Sequence, residues 1–405
     1  MARRASLGYG VYGVKLFDFA RPEGHILVPD DEARIDPDVV ETFPPYPHSP
    51  LYSNKTVAVF VLDVRTNKDP WLDGTKALQG DYVGDFLGER QWAWFEEAIQ
   101  RSNAAVNVIV SGLQINANLN PYPHWAESWS SFPRAQQRLY DAVLQDGVSA
   151  PILVSGDVHM TQLMREDCRH VRDPTKRRPL VEMTTSGMTH SWATLTNAPR
   201  KDRQYKPTLY ERTETLLRGY AMNLMHQVNP WTNLLSSDAT LEPANGGLEG
   251  AKQGLQYSLA KNFGELEFDW DERTVTLRTM GEERWGPPLL AARVSMDQLS
   301  GKVPIPGSVV DDKDFQSKAS RRHPTVANSD WVCIHHRGDV SMGRQMIGHV
   351  ASAVGLIAVV SVPIVLPAIA LGLLLTRTRR RFSNSNSDSR LVQSLRSSGS
   401  CVTSM

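Results

Sequence analysis

Apolar strand-like runs alternate with amphipathic helical patterns through the middle of the chain. The β-branched and apolar run "TVAVFVLDVRT" (Thr56 to Thr66) predicts a buried strand. In "ERQWAWFEEAIQRS" the apolar positions Trp92, Phe95 and Ile99 lie among charges, which is typical of an amphipathic helix. The alternation continues with a strand, a helix and two further strands, namely "AAVNVIVSGLQI", "PRAQQRLYDAVLQDG", "APILVSGDVH" and "RPLVEMTTSG". This order predicts a layered α/β fold.

The regions on either side of this alternation have different patterns. The segment "FGELEFDWDERTVTLRTMG" alternates around a turn at Asp271-Glu272-Arg273 and predicts a β-hairpin. Residues 1–56 are rich in proline and predict an extended N-terminal segment, followed by a folded domain over 57–300. Residues 301–345 predict a polar linker.

One long stretch near the C-terminus carries no charge. From Val350 to Thr376 the chain is dominated by Val, Ile, Leu and Ala, and about 20 such residues are enough to span a bilayer. We therefore expect one transmembrane helix at 346–376, with a buried core helix as the alternative. Four arginines follow within residues 377–381, so the positive-inside rule places a disordered basic and Ser-rich tail (377–405) in the cytosol. The main domain is then expected outside the cytosol, in an extracellular or lumenal space.

Charge and cysteine content narrow the classes of function. Lys plus Arg equals Asp plus Glu, 44 of each, which argues against a nucleic-acid partner bound by bulk charge. The three cysteines have no zinc-like spacing. Cys168 and Cys333 either form a disulfide in an oxidising compartment or are isolated thiols, and isolated thiols are the default interpretation.

Polar side chains follow the predicted strands, where the functional groups of open α/β sheets gather. Asp63 and Arg65 follow the first strand, Asp157 and His159 lie in "ILVSGDVHM", and His190 lies in "SGMTHSW". Carboxylate and imidazole together suit a divalent or ferric ion. Gly156-Asp157 is also an ordinary turn sequence, so a structural role for this motif stays open. For Asp63 with Arg65, a structural ion pair is favoured over contact with a phosphate.

The order of these motifs resembles the PhoD-like alkaline phosphatases, a branch of the calcineurin-like metallophosphoesterases. The resemblance covers about Gly8 to Leu299 and rests on "LDVRTN", "LGERQWAWFEEAI", "VNVIVSG", "HWAESWSSFPRAQQRL", "PILVSGDVHMTQLM", "VEMTTSGMTHSW" and "NFGELEFDW". It implies a two-sheet sandwich flanked by helices, and hydrolysis of phosphate esters by a dinuclear or larger cluster of divalent or ferric ions.

The resemblance also assigns roles to residues. It implies that Asp157 and His159 form the late metal-binding motif, with His159 as a ligand and Asp157 as a ligand or an orienting partner. His159 and His190 are then the candidate catalytic residues, and Arg65 is the candidate substrate-binding residue. Paired cations would neutralise phosphate oxygens while a bound hydroxide attacks phosphorus.

The early metal-binding motifs of the family are missing before residue 8. We therefore expect a domain that is incomplete at its N-terminus. The resulting hypothesis is a membrane-anchored metal-dependent phosphatase acting on phosphate mono- or diesters, impaired in this chain. The alternative is a non-catalytic membrane-anchored protein that retains the fold without a complete metal site, so enzymatic activity itself stays open.

Overall fold

The computed structural model describes ten stretches of the chain and parts of an eleventh. These are residues 10–20, 26–27, 53–70, 84–117, 127–192, 206, 208–228, 257–283, 286–303 and 329–335, with parts of 350–378. The strands are β1 (Gly13–Asp18), β2 (Ile26–Leu27), β3 (Thr56–Val61), β4 (Val106–Ser111), β5 (Pro151–Ser155), β6 (Thr161–His170), β7 (Arg177–Thr185), β8 (Tyr257–Ser258), β9 (Phe263–Asp269), β10 (Thr274–Met280), β11 (Leu290–Ser295) and β12 (Trp331–His335). The helices are α1 (Gly88–Gln100), α2 (Pro133–Leu144), α3 (Leu209–Val228) and α4 (Met296–Leu299).

The described strands form one large and one small sheet. The large sheet has the order β12-β6-β7-β5-β4-β3-β1-β2, with β8 paired to β6, and the small sheet has the order β11-β10-β9. The centre of the large sheet is parallel, because β3 pairs with β4, β4 with β5 and β5 with β7 in the same direction. Strands β5 and β7 are parallel neighbours, and β6, which comes between them in the chain, lies on the other side of β7 and pairs antiparallel with it. The chain therefore crosses over between β5 and β7. The carboxyl ends of four parallel strands therefore meet at one edge.

The large sheet buries a hydrophobic cluster on each face. On one face, side chains such as Phe60 and Ile109 pack with Phe95 of α1 and Leu139 of α2. On the other face, Val108 and Val181 belong to a cluster with residues of the small sheet. The described layers are thus helices, large sheet and small sheet, which is a mixed α/β arrangement.

The strands and helices predicted from periodicity are all present within the described residues. The structure also contains strands that the sequence pattern did not predict. Strands β1, β6, β11 and β12 have weaker apolar patterns than the central strands. Strand β12, at Trp331–His335, lies within the stretch predicted as a polar linker, yet it pairs antiparallel with β6. Its neighbour in the sheet is distant in the chain, so a local pattern carries little information about this pairing.

A disulfide joins β12 to the rest of the sheet. Cys168 and Cys333 face each other in the antiparallel register of β6 and β12, and both are buried. Their sulfur atoms are bonded across a sequence separation of 165 residues. The default interpretation of two isolated thiols was wrong. Closing a loop of that length lowers the entropy of the unfolded chain and stabilises the fold by roughly 5 kcal/mol in the chain-entropy treatment.

The predicted transmembrane helix is corrected by the structure. Among the described residues, no helix is both long enough and apolar enough to cross a bilayer. The anchor at 346–376, and the membrane as a partner through it, are therefore not supported.

Candidate active site

The site lies at the edge where the four parallel strands end. Arg65 follows β3, Asp157 and His159 follow β5, and His190 follows β7. Because these strands are neighbours and run in the same direction, the loops after them must converge. The structure brings all four candidate residues together, and their chemical roles stay predictions.

The loop after β5 has a strained backbone, and contacts from the neighbouring loop stabilise it. Asp157 and His159 have φ angles of 74° and 53°, in the left-handed region that side chains other than glycine rarely adopt. The His159 amide donates to Ser186 Oγ at 3.1 Å, and Trp192 Nε1 donates to the Val158 carbonyl at 2.7 Å. Backbone strain of this kind is concentrated at functional sites. Both side chains are therefore aimed by contacts from the neighbouring loop.

Asn262 organises that neighbouring loop. Its side-chain oxygen accepts from the amides of Ser186 at 3.1 Å and Gly187 at 3.3 Å, while its own amide group donates to the Ala260 carbonyl. A Cβ on Gly187 would lie 2.3 Å from Asn262 Nδ2, so only glycine permits this approach. Sequence reasoning missed Asn262 and Ser186, although "NFGELEFDW" contains the asparagine.

The two candidate histidines are in contact. The ring centroids of His159 and His190 are 4.0 Å apart in an edge-to-face arrangement, and His190 Nδ1 lies 3.0 Å from Thr189 Oγ1. Burial lowers the pKa of His159, and the charge of His190 lowers it further, against the opposing effect of Asp157. The lowered pKa favours the neutral imidazole, whose ring nitrogen has a lone pair to offer.

Arg65 is held between two carboxylates of the site. Its guanidinium donates to Glu127 and, at 3.2 Å, to Asp157 Oδ1. Lys68 Nζ lies 3.8 Å from Glu127. Burial raises the pKa of Asp157, while the Arg65 charge opposes this rise and the Glu127 charge adds to it. The arrangement places two cations beside the strained Asp157 loop, and the side chain of Arg65 is 54% exposed.

Asp63 supports the site through hydrogen bonds from backbone amides, and not through an ion pair with the guanidinium of Arg65. Its carboxylate accepts from the amides of Arg65, Thr66 and Val11, and from Thr66 Oγ1. Burial raises the pKa of Asp63, but these hydrogen bonds outweigh it and the pKa lies below its usual value. The favoured Asp63–Arg65 ion pair is therefore replaced by a turn that Asp63 closes. The carboxylate partner that sequence reasoning missed is Glu127, in "HWAESW".

A buried carboxylate lies directly beneath the site. Glu182 of β7 accepts from the amides of Ile115 at 2.9 Å and Asn116 at 2.5 Å, and from Ser155 Oγ. Burial raises its pKa to about 7, against the lowering effect of these hydrogen bonds. Ser155 ends β5 just before Gly156-Asp157, so Glu182 ties the loop after β4 to the base of the Asp157 loop.

The described residues do not complete a metal site. In this part of the chain, no three His, Cys, Asp or Glu side chains are grouped so that they would hold an ion. Asp157 and His159 have the right chemistry as donors, but two donors do not make the dinuclear cluster that the resemblance implies.

Other side chains of the loops around the site have structural roles. Trp129 is fully buried, donates to Ser111 Oγ at 2.9 Å and packs against Phe86, so it anchors its loop to the core. His124 and Trp125 lie outside the described residues. Asp85 accepts from Trp92 Nε1 and from the Gly88 amide at the start of α1, so it stabilises the start of that helix.

Comparison with known proteins agrees with the resemblance. Residues 51–224 match the family model described as PhoD-like phosphatase. The resemblance to PhoD-like phosphatases is confirmed. The matched residues include β3, β4, β5 and β7, and hence every residue of the candidate site except Asn262.

Similarity to complete proteins is more limited. A solved structure titled "Structure of PhoD" is 21% identical, with a TM-score of 0.25. The similarity covers 32% of this chain and 26% of that one. The match thus spans about a quarter of the length of that PhoD, and the activity and substrates of a whole PhoD-like protein are proposals for this chain. No curated protein matches the chain significantly.

Proposed function

We propose that the chain is a hydrolase of phosphate mono- or diesters whose reaction takes place at the loops after β3, β5 and β7. The observation that carries the proposal is the contact of Arg65 with Asp157, beside the paired rings of His159 and His190. A half-exposed guanidinium at the rim can bind a phosphate, and a neutral imidazole behind it can move a proton. The PhoD-like match over 51–224 supports this reaction class.

Each residue has a distinct part in the proposal. Arg65 exchanges its carboxylate partners for the oxygens of the substrate, because a guanidinium binds two phosphate oxygens at once. His159 offers its lone pair, either to a metal ion or to the proton of the attacking water. His190 lies at 4.0 Å from His159 and orients it. Metal dependence, with Asp157 and His159 as two of the ligands, is proposed on the family resemblance.

We expect Arg65→Gln to lower kcat/KM about 10- to 100-fold, since a lost charge-assisted hydrogen-bond pair costs roughly 1.5–3 kcal/mol. The assay is hydrolysis of 4-nitrophenyl phosphate and of its bis-ester by the full chain, with Mg²⁺, Ca²⁺, Mn²⁺, Zn²⁺ or Fe³⁺ added in turn. Arg101→Gln is the matched control: Arg101 is paired with Glu97 at the end of α1, away from the site.

Absence of hydrolysis with both esters under every metal condition would contradict the proposal and favour a non-catalytic protein. Equal losses in Arg65→Gln and Arg101→Gln would show that the effect of Arg65 is not specific to the site.

We also propose that the domain folds outside the cytosol, in an oxidising compartment. The support is the buried Cys168–Cys333 disulfide, since such bonds persist mainly in extracellular and lumenal spaces. Replacing both cysteines by alanine should lower the free energy of unfolding by about 2–5 kcal/mol, measured by urea denaturation. Full alkylation of both thiols in cells lysed directly into denaturant with the alkylating agent would contradict the proposed location.

A further inference from the structure

The turn that leads into β3 contains the sequence Asn54-Lys55-Thr56. An asparagine followed by any residue except proline, and then by serine or threonine, is the acceptor sequence for an N-linked oligosaccharide. None of the other asparagines in the 405 residues has serine or threonine two positions later. So short a pattern also arises by chance, and its surroundings in the fold therefore decide what it means.

The turn from Ser53 to Thr56 is fixed by hydrogen bonds that do not involve the side chain of Asn54. The Thr56 amide donates to the Ser53 carbonyl at 3.3 Å, and the Ser53 amide donates to Thr56 Oγ1 at 2.9 Å. Ser53 Oγ accepts from the Lys55 amide at 3.1 Å and donates to Asp18 Oδ1. Serine, threonine and aspartate thus hold the turn in place.

The conformation of the turn does not require asparagine at position 54. Asparagine is common in turns because it tolerates a left-handed backbone and because its side chain bonds to nearby backbone groups. Asn54 does not have a positive φ angle. Its side chain is exposed, and within the described part of the chain it has no hydrogen-bond partner. The amide group is therefore free at the surface, as an attached oligosaccharide requires.

Asn54 lies at the end of the large sheet opposite the candidate active site. Strand β3 begins at Thr56, and its carboxyl end leads to Arg65. Its six residues, at about 3.3 Å each, separate the two ends by roughly 20 Å. A bulky group on Asn54 would therefore leave the loops of the active site open.

The threonine of the acceptor sequence is buried in the folded domain. Thr56 is 0% exposed, and it pairs with Asp18 in the register of β1 and β3. Its hydroxyl accepts from the Ser53 amide. Since the transferring enzyme must recognise this hydroxyl, the acceptor sequence is accessible only before β3 joins the sheet. After folding, the exposed position of Asn54 leaves room for the attached group.

We propose that Asn54 carries an N-linked oligosaccharide, which is added before the domain folds. Asn54 Nδ2 forms a bond to the anomeric carbon of an oligosaccharide carried on a lipid diphosphate, and the bond from that carbon to the diphosphate oxygen breaks. The lipid diphosphate leaves with the bonding electrons, and the amide proton passes to a base of the transferase. Nothing is oxidised or reduced.

This modification rests on the location outside the cytosol that is proposed from the Cys168–Cys333 disulfide, because the transfer takes place on chains that leave the cytosol. It does not depend on hydrolysis of phosphate esters by the chain.

The test is peptide mass spectrometry of the full chain isolated from the cells that produce it. Peptide N-glycosidase in water labelled with heavy oxygen converts a glycosylated asparagine into a labelled aspartate. We expect the label at position 54 in most molecules, and faster migration of the treated chain in a denaturing gel. Asn103 is the internal control, because it is exposed but is followed by two alanines, and it should stay unlabelled.

Two variants separate the acceptor sequence from the turn itself. Asn54→Gln keeps an exposed amide but removes the acceptor, so it should migrate like the enzymatically deglycosylated wild type. Its thermal unfolding should also match that of the deglycosylated wild type, because the Asn54 side chain holds no hydrogen bond of the turn. Thr56→Ser keeps the hydroxyl and should keep the oligosaccharide.

The oxidation state of Cys168 and Cys333 in the same sample distinguishes this proposal from the proposed location. Three outcomes with an oxidised pair would overturn the modification and leave the location standing: an unlabelled Asn54, equal labelling of Asn54 and Asn103, or migration of Asn54→Gln equal to that of the untreated wild type. Reduced thiols together with an unlabelled Asn54 would overturn both.

Discussion

His159→Ala is expected to lower kcat/KM for 4-nitrophenyl phosphate by about 10³-fold, or on the order of 4 kcal/mol in the free energy of activation. The substitution removes the lone pair that the lowered pKa of His159 keeps available at neutral pH. The loss should be in kcat, since the cations that bind the phosphate are unchanged. We expect His190→Ala to cause a smaller loss, because its ring only contacts that of His159.

His170→Ala provides the matched control for this prediction. His170 ends β6, and its Nδ1 accepts from the amides of Arg172 and Asp173 at 3.2 Å, at the far end of the sheet from the site. Its loss should leave kcat within a few-fold of wild type. Activity in His159→Ala equal to that in His170→Ala would show that the chemistry takes place elsewhere. Thermal unfolding of each variant separates a catalytic loss from a folding loss.

Glu182→Ala is expected to lower the free energy of unfolding by about 3–5 kcal/mol. The carboxylate is fully buried and accepts from two amides and one hydroxyl. Its loss leaves the amides of Ile115 and Asn116 without their acceptor, and a buried unsatisfied donor costs roughly 1–3 kcal/mol. Urea denaturation measures the change. Glu272→Ala, in the exposed hairpin turn, is the control and should remain within about 0.5 kcal/mol of wild type.

The pH dependence of stability gives a second readout of the same residue. The folded protein keeps the Glu182 proton up to about pH 7, whereas the unfolded chain releases it near the ordinary pKa of 4.5. Between these values the folded state binds more protons, so stability falls as pH rises, by about 3 kcal/mol in total. Glu182→Gln cannot titrate, so the stability of wild type relative to this variant should fall across that window. A constant difference from pH 4.5 to 7.5 would contradict the assignment.

The central elements of the fold were predictable because local pattern determines them. Strands β3, β4 and β5 are nearly continuous apolar runs, as expected of strands buried on both faces of a parallel sheet. In helices α1 and α2, apolar residues recur every three to four positions and so form one apolar face. Parallel neighbours also bring their carboxyl ends to one edge, so the meeting of Arg65, Asp157, His159 and His190 followed from strand order.

The prediction of a membrane helix was wrong because it depended on local composition alone. An uncharged apolar run shows that a segment avoids water, but hydropathy alone does not establish an unbroken helix of bilayer length. Within the described residues no such helix is present. Local composition was over-interpreted there, whereas the strands had independent support from the alternation of elements around them.

The α/β class, the central strands and helices, and the edge of the sheet where the candidate residues lie all follow from local sequence patterns. The partners of each side chain depend on contacts between segments that are distant in the chain. Glu127 meets Arg65 across 62 residues, Glu182 meets Ile115 across 67, and Cys333 meets Cys168 across 165. Arg178 likewise binds carbonyls at the ends of two helices. The periodicity of a segment fixes which face it buries, but strand register and loop conformation determine what that face meets.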